Sequence, residues 1–145
     1  MAQQLLQAGH TLLCISRQAD ASLSQHVSAG ASLSQWSHDL ADSLALAARL
    51  DAWLAALDPA QHASVTLINN AAVIAPIAPL QGYAPDELAA LALALRVDLE
   101  APMLLSAAFL RATAHWALPR RVLNISSGLG RRAMASQATY CAAKA

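Results

Sequence analysis

The sequence predicts an α/β protein built on a parallel sheet. Short continuous apolar runs of strand length alternate with longer segments whose apolar residues recur every three or four positions. The intervals between the strand-like runs are long enough for helical crossovers, so parallel pairing with right-handed connections is the expected topology. Hydroxyl, amide and small residues follow directly on the strand-like runs, at the sheet edge where open α/β folds hold ligands.

Each element has a local cause. Ala2 to Ala8 is a short helical segment closed by Gly9, a residue suited to the left-handed position after a helix. Thr11-Leu12-Leu13-Cys14-Ile15-Ser16 is apolar and of strand length. Arg17 to Gly30 is polar and rich in Ser and Gln, and Leu23 and Val27 alone keep helical spacing, enough for a weak helix. Ser32 to His38 reads as a short strand. Asp42 or Ser43 caps a helix in which Leu46, Leu50, Trp53, Leu54 and Leu57 keep 3–4 spacing, and Asp58-Pro59 ends it. Val65 to Ile68 reads as a buried strand. Asp86 opens the longest helical stretch, to Leu118. Pro102 inside it removes one ladder hydrogen bond and predicts a kink near Asp98. Arg120 to Ser126 is the next strand, also read as buried, and Ser136 or Gln137 starts the helix that carries Tyr140 and Lys144.

Composition narrows the function classes. The 145 residues suffice for one domain with a real core. The chain is 57% hydrophobic and 12% charged with a formal net charge of +0, which argues against nucleic acid or an anionic membrane as partner. The longest uncharged stretch, Ser64 to Pro85, holds Asn69, Asn70, Pro76, Pro79 and Gln81, and Leu88 to Leu95 is short and flanked by Glu87 and Arg96, so no spanning helix is predicted. Met1 is followed by Ala2-Gln3-Gln4 without a basic segment, so no signal peptide is read and the cytoplasm is the expected compartment. Cys14 and Cys141 lack metal-type spacing and read as packing residues. His10, His26, His38, His62 and His115 show no paired spacing, so no metal site is predicted. Trp36, Trp53 and Trp116 read as packing residues.

Tyr140 and Lys144 stand one helical turn apart on the same face. Ser127 ends the preceding strand, where its hydroxyl can converge with the phenol above the sheet edge. A free tyrosine has a pKa of about 10 and relays protons poorly at neutral pH. A lysine ammonium one turn away favours the phenolate and suits the phenol to give or take a proton. Taken alone, Tyr140 and Lys144 also fit an ordinary solvated helix face.

The spacing of Ser127, Tyr140 and Lys144, with Leu67-Ile68-Asn69-Asn70-Ala71-Ala72 upstream, resembles the short-chain dehydrogenase/reductase family. Ala72 stands where that family's Asn-Asn-Ala-Gly segment has Gly. Asn124-Ile125-Ser126-Ser127 followed by Tyr140-Cys141-Ala142-Ala143-Lys144-Ala145 is similar to sepiapterin reductase and the benzil-type diketone reductases within it. The resemblance implies a Rossmann-like doubly wound parallel sheet, with residues 1–145 forming part of an NAD(P)-binding domain. It also implies an incomplete sheet, because the family's first strand with its TGxxxGxG turn and its C-terminal strands have no counterpart here.

The activity implied by the resemblance is NADP(H)-dependent hydride transfer that reduces a carbonyl or oxidises an alcohol, with Ser127, Tyr140 and Lys144 catalytic. Arg17, Asp39, Asn69 and Ala71 are implied to bind the cofactor together with Tyr140 and Lys144. Arg17 follows the first visible strand, where similar reductases meet the adenosine 2′-phosphate, which favours NADP over NAD; the alternative is a surface arginine. Asp39 matches the acid that contacts the adenine amine, or else initiates a helix. Asn69 is expected to tie adjacent strand ends through its amide. Asp98 occupies the place of a family Asn implicated in holding a water near the lysine, and reads either as part of that relay or as a polar helix residue. Family members commonly form homodimers or homotetramers through the long helix and the Tyr-bearing helix. The competing expectation is a non-catalytic remnant or interaction module of the same fold, and the 145-residue chain by itself is expected to be inactive.

Overall fold

Four strands form, and they pair in twos. The structure, a computed structural model, describes residues 1–145, which divide into two units, Met1–Leu40 and Ala41–Ala145. In the first unit, β1 (Thr11–Ser16) pairs in parallel with β2 (Ser32–Ser37), from Thr11↔Ser32 to Ser16↔Ser37. In the second, β3 (Val65–Asn69) pairs in parallel with β4 (Arg120–Asn124), from Val65↔Arg120 to Asn69↔Asn124. Parallel pairing is as predicted, but the strands form two separate two-stranded sheets.

The short helix α1 (Ala2–Leu5) stops before the predicted Ala8, because Leu6 leaves helical geometry with ψ 51° and its N–H returns to Gln3. Gly9 does take the left-handed conformation, φ +80°, in the turn before β1, where its N–H donates to Gly30 O at 2.9 Å. The polar segment between the strands holds a 3₁₀ helix, Ala21–His26, with Leu23 buried. Asp20 caps it by accepting from Ser22 N–H at 2.9 Å and the Ser22 hydroxyl at 2.6 Å. That hydroxyl bond is the main reason the Asp20 carboxyl lies below its ordinary pKa. The Gln35 side chain pins this loop to β2, accepting from Asp20 N–H and donating to Asp20 O.

The second unit is built on helices. α2 (Ser43–Ala55) buries Leu46, Leu50 and Leu54 and packs against α4 (Ala101–Ala112), which buries Leu105, Ala108 and Phe109. The predicted long helix is segmented. A 3₁₀ turn, Pro85–Glu87, leads into α3 (Leu88–Leu95), a π turn over Arg96–Glu100, and then α4. The helix ends at Ala112 and does not reach Leu118. Thr113 leaves helical geometry, its hydroxyl donates to Phe109 O at 2.7 Å, and the chain folds back so that Trp116 is buried against His62. The last helix, α5, spans Ala138–Lys144 with Gln137 as N-cap.

The strands are less buried than predicted. No residue of β3 or β4 is fully buried, and Leu123 is half exposed. A continuous apolar run is buried when further strands and helices cover both faces, whereas this pair has α4 packed on it. Several large apolar residues of the α3–α4 region, among them Leu88, Leu93, Leu99, Met103 and Leu110, are exposed. No helix is long and apolar enough to cross a membrane.

The α2–α4 interface predicts a contrast. Leu46 is 0% exposed and Leu44 is 72% exposed. Leu46→Ala should destabilise the chain by about 2–5 kcal/mol in a urea melt, and Leu44→Ala by less than about 0.5 kcal/mol. Equal effects would show that α2 does not present this face to α4.

Candidate active site

Parallel β3 and β4 deliver their carboxyl ends to one edge. There Asn69 Nδ2 donates to Asn124 Oδ1 at 2.7 Å and to Ser106 Oγ at 3.2 Å, tying the strand ends to each other and to α4. Ile125 N–H adds a bond to Asn69 O at 2.9 Å. The strand-tying expected of Asn69 is therefore present. Asn70, Ala71 and Ala72 follow as exposed small or polar residues. Ser136 is the only non-glycine residue with positive φ, so Ala72 replaces glycine without backbone strain.

β4 ends at Asn124, two residues short of the predicted Ser126, because the chain turns there. Ser127 is extended and caps a 3₁₀ turn, Gly128–Gly130, its Oγ accepting from Leu129 N–H at 3.2 Å. A hydroxyl that accepts in this way keeps its own proton free to donate. Ser126 donates its hydroxyl to Lys144 O at 2.7 Å. Gly130 lies against the same carbonyl: a Cβ there would stand 1.9 Å from Lys144 O and 2.4 Å from Lys144 C. Side chain and backbone thus join the exit of β4 to the last turn of α5.

On α5, Lys144 is buried, 9% exposed, and donates from Nζ to Ile125 O at 3.2 Å. The ammonium lies 5.9 Å from the centroid of the Tyr140 ring, within cation–π range. Tyr140 is half-buried and its hydroxyl makes no hydrogen bond within the chain. A solvated helix face, the other reading of this pair, does not describe a lysine so enclosed. Cys141 is buried and its Sγ takes Met134 N–H at 3.4 Å, which is a packing role. Ser136, at φ +65°, turns the chain into α5 in a conformation that costs an L-residue about 1–2 kcal/mol; Gln137, not Ser136, therefore starts the helix.

Asp98 sits on the π turn. Pro102 has no N–H to offer the Asp98 carbonyl, its partner in a regular helix, and Ala101 N–H reaches back to Arg96 O. The predicted irregularity is there, as a π turn. Asp98 is 4% exposed, so it is not a solvated polar residue. Its Oδ1 accepts from Val73 N–H at 2.7 Å, and Oδ2 is buried without a hydrogen-bond partner. Burial pushes the Asp98 carboxyl above its ordinary value, against the opposing pulls of the Val73 bond and Lys144. In the first unit, Arg17 follows β1 and Asp39 follows β2, both exposed and both at carboxyl ends of strands.

The roles of Gly130, Ser126 and the Asp98–Val73 bond were not read from the sequence. Two signals were available: a Gly-x-Gly just after a predicted strand, and an Asp four residues before a helical Pro.

The family model for short chain dehydrogenase matches residues 1–145. A benzil reductase ((S)-benzoin forming) from Bacillus cereus is 30% identical over 146 residues, which cover 100% of this chain and 57% of that protein. A short-chain dehydrogenase/reductase from Burkholderia vietnamiensis has a similar structure, with TM-score 0.80 and 38% identity over 99% of this chain and 63% of that one. A metagenomic short-chain oxidoreductase solved in complex with NADP matches with TM-score 0.79 and 30% identity over 99% of this chain and 62% of that one. The chain belongs to the short-chain dehydrogenase/reductase family of oxidoreductases, and its fold is Rossmann-like. It spans a little over half the length of the curated relative.

The contact at Gly130 supplies a test of the corner. Gly130→Ala must push against a backbone carbonyl and should cost about 1–3 kcal/mol. Gly128→Ala meets nothing within 4 Å and should stay within about 0.5 kcal/mol of the parent. Paired urea melts decide; a harmless Gly130→Ala would mean that α5 is not seated on the β4 exit as described.

Proposed function

We propose that residues 1–145 form part of an NAD(P)-binding Rossmann-like domain and carry the site of an NADP(H)-dependent carbonyl reductase, acting also as an alcohol dehydrogenase in reverse. The observation that carries this reading is an unbonded Tyr140 hydroxyl on a ring 5.9 Å from the enclosed Lys144 ammonium, on a helix packed against the turn that Ser127 caps with its own proton free. Tyr140 gives its proton to the substrate oxygen. Ser127 donates a hydrogen bond to that oxygen and fixes its position. Lys144 places positive charge near the tyrosine oxygen, which offsets the negative charge that develops there as the proton leaves.

The donor set fits a nicotinamide cofactor. Lys144 has three N–H donors and spends one on Ile125 O, which leaves donors for ribose hydroxyls. Exposed Ala71 and Ala72 beyond Asn69 allow close approach at the strand exit. When bound, the nicotinamide supplies the hydride. Arg17 would hold the 2′-phosphate of NADP and Asp39 the adenine amine. The NADP complex of the metagenomic relative supports NADP as a cofactor of this fold, and Arg17 is what favours it over NAD. The benzil reductase relative supports a small-molecule carbonyl, and specifically a 1,2-diketone, as substrate. The exposed apolar residues of α3 and α4 support homodimer or homotetramer formation through the long helix.

A second reading, a non-catalytic interaction module, is favoured by one observation: the four strands form two sheets that no strand joins. Titration with NADPH separates the two. A module of this kind shows no saturable binding.

The catalytic assignment is tested in the longest chain expressed from the gene that encodes these residues. Tyr140→Phe should lower NADPH-dependent diketone reduction by at least about 100-fold while sparing NADPH binding. Turnover within a few-fold of the parent removes Tyr140 as the acid. In the same protein Arg17→Asp should weaken NADPH far more than NADH; equal loss for both returns Arg17 to the surface.

A further inference from the structure

Asp98 and Lys144 are the only charged side chains in the chain that are buried. The π turn that carries Asp98 packs against α5, which carries Lys144. They do not form an ion pair. Each instead holds a backbone group at the exit of a different strand. Asp98 Oδ1 takes Val73 N–H, four residues beyond Asn69 and the end of β3. Lys144 Nζ gives to Ile125 O, one residue beyond β4. These are the two loops on which Ala71 and Ser127 sit. The remaining carboxylate oxygen, Oδ2, is buried and has no hydrogen-bond partner.

An unpartnered buried carboxylate oxygen is costly unless a nearby charge or a proton compensates it. Lys144 is the ionisable group that acts on it. The other elements packed on the π turn offer little. α3 has no ionisable residue, Arg111 of α4 is engaged by Asp51 of α2, and Arg49 is the remaining charge on α2. Tyr140 and Cys141 are the other ionisable groups on α5. On the π turn itself Glu100 accepts from Ser43, and Arg96 is its neighbour.

We propose that Asp98 is a positioning residue: its carboxylate steadies the Lys144 ammonium between the Ile125 carbonyl and the Tyr140 ring, and protonation of Asp98 loosens that hold while keeping the Val73 anchor. The two strand-exit loops are thereby coupled through one titratable group. Because burial raises the Asp98 carboxyl, the change falls at a pH above the ordinary value of an aspartate. The catalytic consequence rests on the reading of Tyr140 and Lys144 given above; the coupling between Asp98 and Lys144 does not.

The chain has a single lysine, so labelling with ¹³C-lysine gives one side-chain signal that needs no assignment. The Lys144 Cε shift is followed through the acid range in the parent, in Asp98→Asn, which keeps the shape and the Val73 acceptor, and in Asp98→Ser. The parent should show an inflection above the ordinary aspartate value, and both variants should lose it. A flat parent curve overturns the proposal, and so does an inflection that survives in whichever variant folds. Diketone reduction is measured separately in the longest chain expressed from the gene, so a Lys144 signal that responds to Asp98, with no reductase activity in that longest chain, would overturn the catalytic reading and leave the coupling standing.

Discussion

Lys144 is held at both ends, and the corner that carries the site depends on it. Its ammonium is fixed by the Ile125 carbonyl, and its own carbonyl by the Ser126 hydroxyl, with Gly130 close beneath. These contacts set the last turn of α5 against the chain leaving β4. Tyr140, one turn earlier on the same helix, takes its place from that seating, and Ser127 takes its place from the same stretch of chain. Each bond has backbone on one side, so a single side chain is ordered to make it. A glycine is required at 130 because of close approach, since any Cβ would occupy the space of a carbonyl.

A second constraint comes from Pro102. By withholding an N–H from Asp98, it converts one turn of a long helix to π geometry and presents an acidic side chain inward. That side chain captures Val73 N–H and so restrains the loop beyond Asn69. Helix irregularity, loop position and buried charge are therefore consequences of one missing donor. The Asn69 amide adds an independent link between the same loop base, β4 and α4.

Much of this was legible in the sequence where periodicity or a single backbone property decides. The limits of β1 follow from its apolar run, the helical face of α2 from Leu46, Leu50 and Leu54, and the irregular turn near Asp98 from Pro102. The helix that carries Tyr140 and Lys144 on one face follows from their spacing, and it packs against the turn that Ser127 caps. What was not legible depends on partners distant in sequence. Burial of β3 and β4 was expected from apolar content alone, but burial requires neighbours that a pair of strands does not have. The end of the long helix was placed too late because Thr113 and Trp116 stop it through tertiary contacts. The enclosure of Asp98 and Lys144 had no sequence signal, since charged residues are mostly exposed.

Within residues 1–145 the two sheets contribute little of the hold on this candidate site. Each has two strands, too few for independent stability, and no residue of β3 or β4 is fully buried. The main apolar packing lies instead between α2 and α4, where Leu46, Leu50 and Leu54 of one helix and Leu105, Ala108 and Phe109 of the other are buried. From that helical core the restraints run outward: through the π turn to Asp98 and Val73, through Ser106 to Asn69, and from β4 through Ile125 to Lys144. The two charged groups are committed to backbone partners, whereas the hydroxyls of Ser127 and Tyr140 retain protons that no group in the chain accepts. A corner organised in this way keeps its charges fixed and leaves its hydroxyl donors available, a division suited to the proton transfer proposed for it.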